Sequence, residues 1–344
     1  MGGAGSRRMS TPDDLESAVR TGPGTARVLV TGGTGFIGRR LVDALNRAGS
    51  RVRVLSRASE LPDVWRGHVE VVCGDVTDPT SLAAAVDGCT SVAHLAGEWR
   101  QASRYWSVNA AGTENVLEAA RQAGVAHVLH MSSVGVMGSR RPGRISEAEP
   151  CHPANDYERS KFEAERLALR WCADTGVPVT ALRPTIVFGA RPGGADSVLS
   201  LLRVIRARRF VYFDRRAAAN YVYVDDVVGA CLRALERRTP GVFIVADPCH
   251  LTEFVGAAAD ALQVARPAGR VPLPIATAAA ATLQAVGWLT RRRSPLTLAR
   301  VRALSNRSWF ESSAITDALG WTPGVGWAAG LARTIDEYRA AGLL

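Results

Sequence analysis

Tyr157 and Lys161 stand four residues apart in the run Asp156-Tyr157-Glu158-Arg159-Ser160-Lys161. On a helix that spacing puts a phenol and an ammonium on one face, one turn apart. A phenol titrates at about 10 and is a poor base at neutral pH, whereas a neighbouring cation favours phenolate and lowers that value. Such a pair could take a proton from a hydroxyl or return it, the proton half of an alcohol–carbonyl interconversion. Helix surfaces also carry Tyr and Lys at this spacing for no chemical reason. The pair gains meaning only from what positions it.

A second group of residues points to a nucleotide. Arg27-Val28-Leu29-Val30 is followed at once by Thr31-Gly32-Gly33-Thr34-Gly35-Phe36-Ile37-Gly38, then by a helical pattern. The spacing satisfies G-x-G-x-x-G through Gly33, Gly35 and Gly38, and G-x-x-G-x-x-G through Gly32, Gly35 and Gly38. Glycine is needed where such a turn is tight and its backbone approaches a pyrophosphate. The phosphate charge then meets the N–H groups and dipole of the helix that opens with Phe36 and Ile37. The second strand pattern, residues 51–55, ends at Ser56-Arg57. An acidic residue there bonds ribose hydroxyls in NAD-specific folds, and an arginine accommodates a 2′-phosphate. Arg57 therefore favours NADP, with NAD as the alternative.

The elements that must hold these groups alternate regularly. Short apolar runs at 27–30, 51–55, 68–73, 91–95, 128–131 and 179–182 are separated in most cases by helical patterns at 37–48, 81–86, 109–123 and 157–174. Near-continuous apolar strands alternating with amphipathic helices predict a parallel sheet covered on both faces, a doubly wound α/β fold of Rossmann type. The rhythm changes after Phe188. The reading is a dinucleotide-binding domain over 27–188, to which 219–246 return, and a smaller, mostly helical substrate-binding lobe from 189–218 and 247–344. Residues 1–26 read as a disordered tail without a targeting signal.

Composition narrows the partners. The 344 residues are 47% hydrophobic and 22% charged, with a formal charge of +10. The arginines are scattered rather than interleaved with stacking aromatics, so an anionic cofactor is expected and nucleic acid is not. Six separated cysteines without a Cys-x-x-Cys pair fit a reducing cytoplasm, and no metal site is expected. Residues 271–290, followed by Arg291-Arg292-Arg293, have almost no polar side chains. Two prolines and many alanines make a buried helix of the second lobe the preferred reading, and contact of 271–293 with a membrane surface the lesser one. The expected partner is a small-molecule substrate, with a homodimer also allowed. The basic helix 197–209 is read mainly as a solvated face, its alternative being that Arg203 and Arg206 meet an anionic substrate.

These motifs together resemble the extended short-chain dehydrogenase/reductase family, also called the NAD-dependent epimerase/dehydratase family. The likeness runs through Thr31 to Gly38, Gly74-Asp75-Val76, His94-Leu95-Ala96-Gly97, Asn109 to Thr113, Ser132 to Gly138, Tyr157 through Lys161, Arg183 to Gly189 and Val222 to Asp226. The tail Leu319-Gly320-Trp321-Thr322-Pro323 is similar as well. The resemblance implies that Asp75 and Val76 flank the adenine and that Leu95 and Ala96 line the cofactor's middle. It also implies that Asn109 supports the site, that the backbone after Pro184 meets the nicotinamide amide, and that Lys161 holds the nicotinamide ribose. Ser133, five residues before Gly138, matches the substrate-orienting hydroxyl, and Ser132 is its rival.

Departures from the family pattern bear on the reaction. Sugar-nucleotide dehydratases of this family carry an acidic pair after the hydroxyl residue, where this chain has Val134-Gly135. The epimerase pattern has asparagine where Thr185 stands and Arg-Asp where Ala219-Asn220 stand. The Arg-Pro-x-x-Val-Phe-Gly form looks more like hydroxysteroid-dehydrogenase and dihydroflavonol-reductase branches. The leading reading is reversible reduction of a ketone to a secondary alcohol. A nucleotide-sugar epimerase that keeps its cofactor is second, and a non-catalytic dinucleotide-binding subunit third. Trp99, Tyr105, Trp106, Met137 and Phe188 are candidates for an apolar substrate pocket.

Overall fold

A computed structural model describes residues 27–58, 62–138, 142–191, 197–290, 294 and 296–344; the expected tail lies outside them. Seven parallel strands form one sheet: β1 Arg27–Thr31, β2 Arg51–Ser56, β3 Val69–Cys73, β4 Ser91–His94, β5 His127–Met131, β6 Val179–Pro184 and β7 Gly241–Val245. Their order is β7-β6-β5-β4-β1-β2-β3. β1 pairs with β2 on one side and β4 on the other, which makes the β1–β4 boundary the switch point where ligands sit in doubly wound sheets. The first six strands lie within a residue or two of the predicted runs, and β7 adds an edge that those runs did not include.

Helices cover both faces. Those before the second lobe are α1 Phe36–Arg47, α2 Pro79–Val86, α3 Gly112–Gln122 and α4 Asp156–Thr175. α1 turns Leu41, Val42 and Leu45 onto Val54 and Trp65, the apolar stripe that its 3.6-residue period supplies. α4, which carries Tyr157 and Lys161, has a marked start and stop. Asn155 Oδ1 accepts from Glu158 N at 3.0 Å at the N-cap, and Gly176 takes the left-handed conformation that ends the helix. One turn beyond Lys161, Glu165 meets Arg183 of β6 through two hydrogen bonds, at 2.9 and 2.5 Å, with both side chains buried. This pair fastens α4 to the sheet.

The rest of the chain crosses between the two halves repeatedly. α5 Ser197–Arg206, α7 Leu251–Ala261 and α11 Gly326–Ala340 share a second core with strands Ile186–Phe188 and Tyr221–Tyr223. α6 Val224–Arg237 returns to the sheet, and so does α10 Ser313–Leu319, whose Ile315 and Leu319 join Trp321 in the main core. The Asp226 carboxylate accepts from Val325 N at 2.7 Å and Gly326 N at 3.0 Å, so the Val-Asp-Asp run anchors the C-terminal segment.

α8 Leu273–Leu289 corrects the expectation of a buried helix. It packs on α9 Leu298–Ala303, yet of its described side chains only those of Ala276 and Ala280 are buried, against Phe213 and Val301. Alanines one turn apart give a contact stripe too narrow to bury the rest of the helix, and Ile275 and Trp288 are 60% and 85% exposed. No helix among the described residues is long and apolar enough to cross a membrane.

The Glu165–Arg183 pair yields a stability prediction. Removing one partner of a buried pair leaves the other charge uncompensated, at a cost of about 3–5 kcal/mol. Glu165→Gln should lower the chemical-denaturation midpoint accordingly; an unchanged midpoint would show that α4 is held by packing alone.

Candidate active site

The glycine turn ends β1 at the switch point. Gly32 has φ +69, and a Cβ there would lie 2.6 Å from Ala96 N and 2.7 Å from Leu95 C, so the turn closes directly onto the end of β4. A Cβ at Gly38 would run into the Gly32 carbonyl oxygen, and one at Gly35 would come within 3.1 Å of the same atom. Gly33 faces the other way, toward Val54 beneath α1. The G-x-x-G-x-x-G spacing is thus the one that shapes the ligand side. Gly32, Gly35, Phe36, Ile37 and Gly38 form one wall of a cavity of about 1490 Å³. Gly35 caps α1 without a side chain, and the first turn carries no acidic residue. Such a helix start accepts an anion.

Tyr157, Lys161, Ser132 and Ser133 line the same cavity, together with Leu95 and Pro184. Lys161 is 6% exposed, and its Nζ donates to the Met131 carbonyl at 2.6 Å. Ser133 Oγ accepts from Gly135 N at 3.0 Å, which leaves its proton free to donate into the cavity. Ser132 Oγ is buried with no hydrogen-bond partner among the described residues. The cradle of absent side chains, the open helix start and the buried ammonium suit a dinucleotide diphosphate and its ribose. A sequence profile of the NAD dependent epimerase/dehydratase family matches residues 28–246.

The chain belongs to that family. It is an NAD-dependent epimerase/dehydratase-type oxidoreductase. It is 28% identical to a 3beta-hydroxysteroid-dehydrogenase/decarboxylase isoform 1 of Arabidopsis thaliana, over 90% of this chain and 79% of that protein. It is 30% identical to a ceramide reductase of Caulobacter vibrioides, over 92% and 96%. Among solved structures, MoeE5 in complex with UDP-glucuronic acid and NAD is similar at 28% identity and a TM-score of 0.70, over 92% of this chain and 100% of that one.

Within this family site, electrostatics depart from the expectation in one respect. The spacing predicts that Lys161 acidifies Tyr157, whereas burial raises the Tyr157 hydroxyl above its ordinary value, and Tyr105 and Glu158 add to the rise. Lys161 is itself pushed down to about 8 by burial, against the pull of Glu165. Two buried histidines beside it stay neutral. Burial and the Lys161 charge lower His94 to about 3, and burial, Lys161 and His94 lower His130 well below its usual value.

Other motif residues act at one remove. Asn109, in the π-turn Trp106–Ala111, is buried behind the cavity wall. Its Oδ1 accepts from Glu98 N at 2.7 Å, and its Nδ2 donates to Glu98 O at 3.0 Å and Ser160 Oγ at 2.9 Å. Asn109 thus ties the loop after β4 to α4 and positions rather than touches. Ala96 lies outside the cavity wall and donates its N–H to Thr31 Oγ1 at 3.3 Å. Asp75, Val76 and Arg57 stand beyond the wall, past the ends of β3 and β2. The Asp75 carboxyl is held below its usual value, burial being outweighed by hydrogen bonds from Thr77 and by Arg57 and Arg104, at 3.9 and 3.5 Å.

Toward the second lobe the cavity runs on between α5, α8 and α9, past Val211, Phe213, Val271, Leu296 and Leu304. Of the expected apolar residues, Trp99, Tyr105 and Phe188 line it. Trp106 does not, and Met137 is buried in a separate core with Val136 and Ile145. Arg203 and Arg206 also lie off the wall; Arg203 donates to the Leu343 carbonyl at 3.1 Å. The arginines that do line it are Arg191, Arg209 and Arg300, which sequence reasoning missed. Arg191 lies over the Phe36 ring at 4.0 Å, a cation–π contact at the edge of the glycine turn.

Lys161 makes stability depend on pH. Its ordinary value is 10.5 and its folded value about 8. Between these the unfolded chain binds the extra proton, so this group makes stability rise with pH, by on the order of 3 kcal/mol over the whole window. Denaturation curves at pH 7.5 and 10 should show a larger gain for the wild type than for Lys161→Met. Equal gains would mean that Lys161 is not desolvated.

Proposed function

We propose that this enzyme reduces the carbonyl of an apolar, lipid-like ketone to a secondary alcohol, reversibly, with NADPH as its preferred cofactor. The observation that carries this reading is the continuity of one cavity from Tyr157 and Ser133 to the apolar side chains of α5 and of the segments beside α8 and α9, Phe213, Val271, Leu296 and Leu304 among them. The two curated relatives above, named for a hydroxysteroid and a ceramide, support the substrate class.

The nicotinamide supplies or takes up the hydride when bound. The chain's part is to orient the substrate and to move a proton. Burial keeps Tyr157 as the neutral phenol, the form that donates a proton to a carbonyl oxygen; this favours reduction at neutral pH. Ser133, its oxygen already engaged by Gly135 N–H, donates its own hydrogen to the same substrate oxygen. Lys161 keeps positive charge at the site below about pH 8. The glycine turn and α1 would hold the diphosphate. Arg57, with its side chain 65% exposed at the end of β2 and no carboxylate at positions 56 or 57, would take a 2′-phosphate. A nucleotide-sugar epimerase is the second reading, favoured by Arg191, Arg209 and Arg300 on the cavity wall, which could hold a substrate diphosphate. The non-catalytic reading finds no support, since Tyr157, Lys161 and Ser133 share one cavity.

A panel of hydrophobic ketones assayed with NADPH and NADH tests the proposal. Tyr157→Phe should cut kcat by roughly 10²–10⁴ with little change in KM. Arg57→Ala should raise KM for NADPH about tenfold or more and leave NADH unaffected. No carbonyl turnover by the wild type, with oxidised cofactor retained through purification, would favour the epimerase. Undiminished activity of Tyr157→Phe would defeat both.

A further inference from the structure

Among the described residues no element covers the side of α8 on which Ile275, Ala279, Leu283 and Val286 recur at i, i+4, i+8 and i+11, the spacing of one helix face. Ile275, Leu283 and Val286 are 60%, 38% and 49% exposed, and Trp288 near the helix end is 85% exposed. Soluble surfaces carry isolated apolar residues without consequence, but a contiguous stripe marks a contact. The stripe borders the substrate cavity: Ala279 belongs to both. Val204 of α5 and Ile186 also line the cavity while being 42% and 47% exposed.

Charge identifies what the stripe meets. Residues 261–310, which contain α8 and α9, hold eight arginines and no carboxylate. Among the described residues, the exposed Arg270 precedes α8, and the exposed Arg300 and Arg302 lie on α9, packed beside it. A two-fold contact with a second copy would set like patches of guanidinium groups against each other. Apolar residues along one side of an uncharged helix of 17 residues, with arginines supplied by the neighbouring segments, instead suit contact with the headgroup plane of an anionic bilayer.

We propose that α8 is a docking surface for an anionic phospholipid membrane, so placed that a lipid-like molecule leaves the bilayer along α8 and reaches Tyr157 without crossing water. The docking rests on exposure and charge and is independent of the reaction proposed above; only the route of the substrate depends on that reaction.

The test uses vesicles and needs no turnover. The full chain is sedimented with vesicles of phosphatidylcholine alone and of phosphatidylcholine with about one-third phosphatidylglycerol, beside the variant Ile275→Asp/Val286→Asp. Neither substituted residue lines the cavity. The wild type should partition at least tenfold more strongly onto the anionic vesicles. The variant should lose at least tenfold of that partition while keeping its circular dichroism spectrum and its dinucleotide affinity. Wild type remaining in the supernatant, or a variant that sediments equally well, overturns the proposal. So does a dimer in light scattering that the double substitution dissolves without any vesicle binding, since a second copy would then be the occupant.

Discussion

Lys161 carries an ammonium group into the protein with the Met131 carbonyl as its hydrogen-bond partner, and the surrounding groups adjust to that charge. Two imidazoles lie close by, and burial next to a cation keeps both uncharged. For His94 neutrality has a structural use. Thr113 Oγ1 donates to the Asn109 carbonyl at 2.6 Å, so His94 Nε2 must donate to Thr113 at 2.9 Å and Nδ1 must accept from Thr31 at 2.7 Å. Thr31 Oγ1 in turn accepts from Ala96 N. One neutral ring therefore joins the strand before the glycine turn, the end of β4 and the start of α3. Protonating it would break the acceptor half of that chain.

The site is a junction between two differently built surfaces. On the sheet side, backbone N–H groups and absent Cβ atoms make a polar cradle whose shape tolerates little change. On the lobe side, the same cavity is walled largely by aliphatic side chains of α5 and by apolar residues of the neighbouring segments, Phe210, Phe213, Val271 and Leu296 among them, with Arg209 and Arg300 at intervals. Tyr157 and Ser133 stand where the two meet, with the Tyr105 ring edge-on to Tyr157 at 5.6 Å. The proposed substrate class, one oxygen on a long apolar body, rests on that division.

The parts of the site readable from sequence were those in which chemistry depends on local spacing. The glycine turn and the Tyr157–Lys161 pair are each contained in a few residues, and the alternation of apolar runs and helical patterns carried the sheet. The direction of the Tyr157 shift was not readable, because spacing along a helix reports neither desolvation nor where the ammonium is hydrogen-bonded. Arg191, Arg209 and Arg300 were missed because only the fold brings them to the cavity. β7 is a five-residue apolar run far from the first six, paired with β6 across some sixty residues. α8 misled for another reason: apolar composition usually signals burial, and here most of the helix's described side chains stay exposed.

The path of the chain also has a consequence for its birth. Until Gly241–Val245 emerges from the ribosome, β6 is an open edge strand, every residue of which is buried in the finished protein. Ile315, Leu319 and Trp321, which complete the main core, are synthesised later still. Between the synthesis of β6 and that of β7 the nascent chain presents an unpaired apolar strand edge, the condition in which such edges find the wrong partner. The order of its elements thus leaves that edge open for some sixty residues of synthesis.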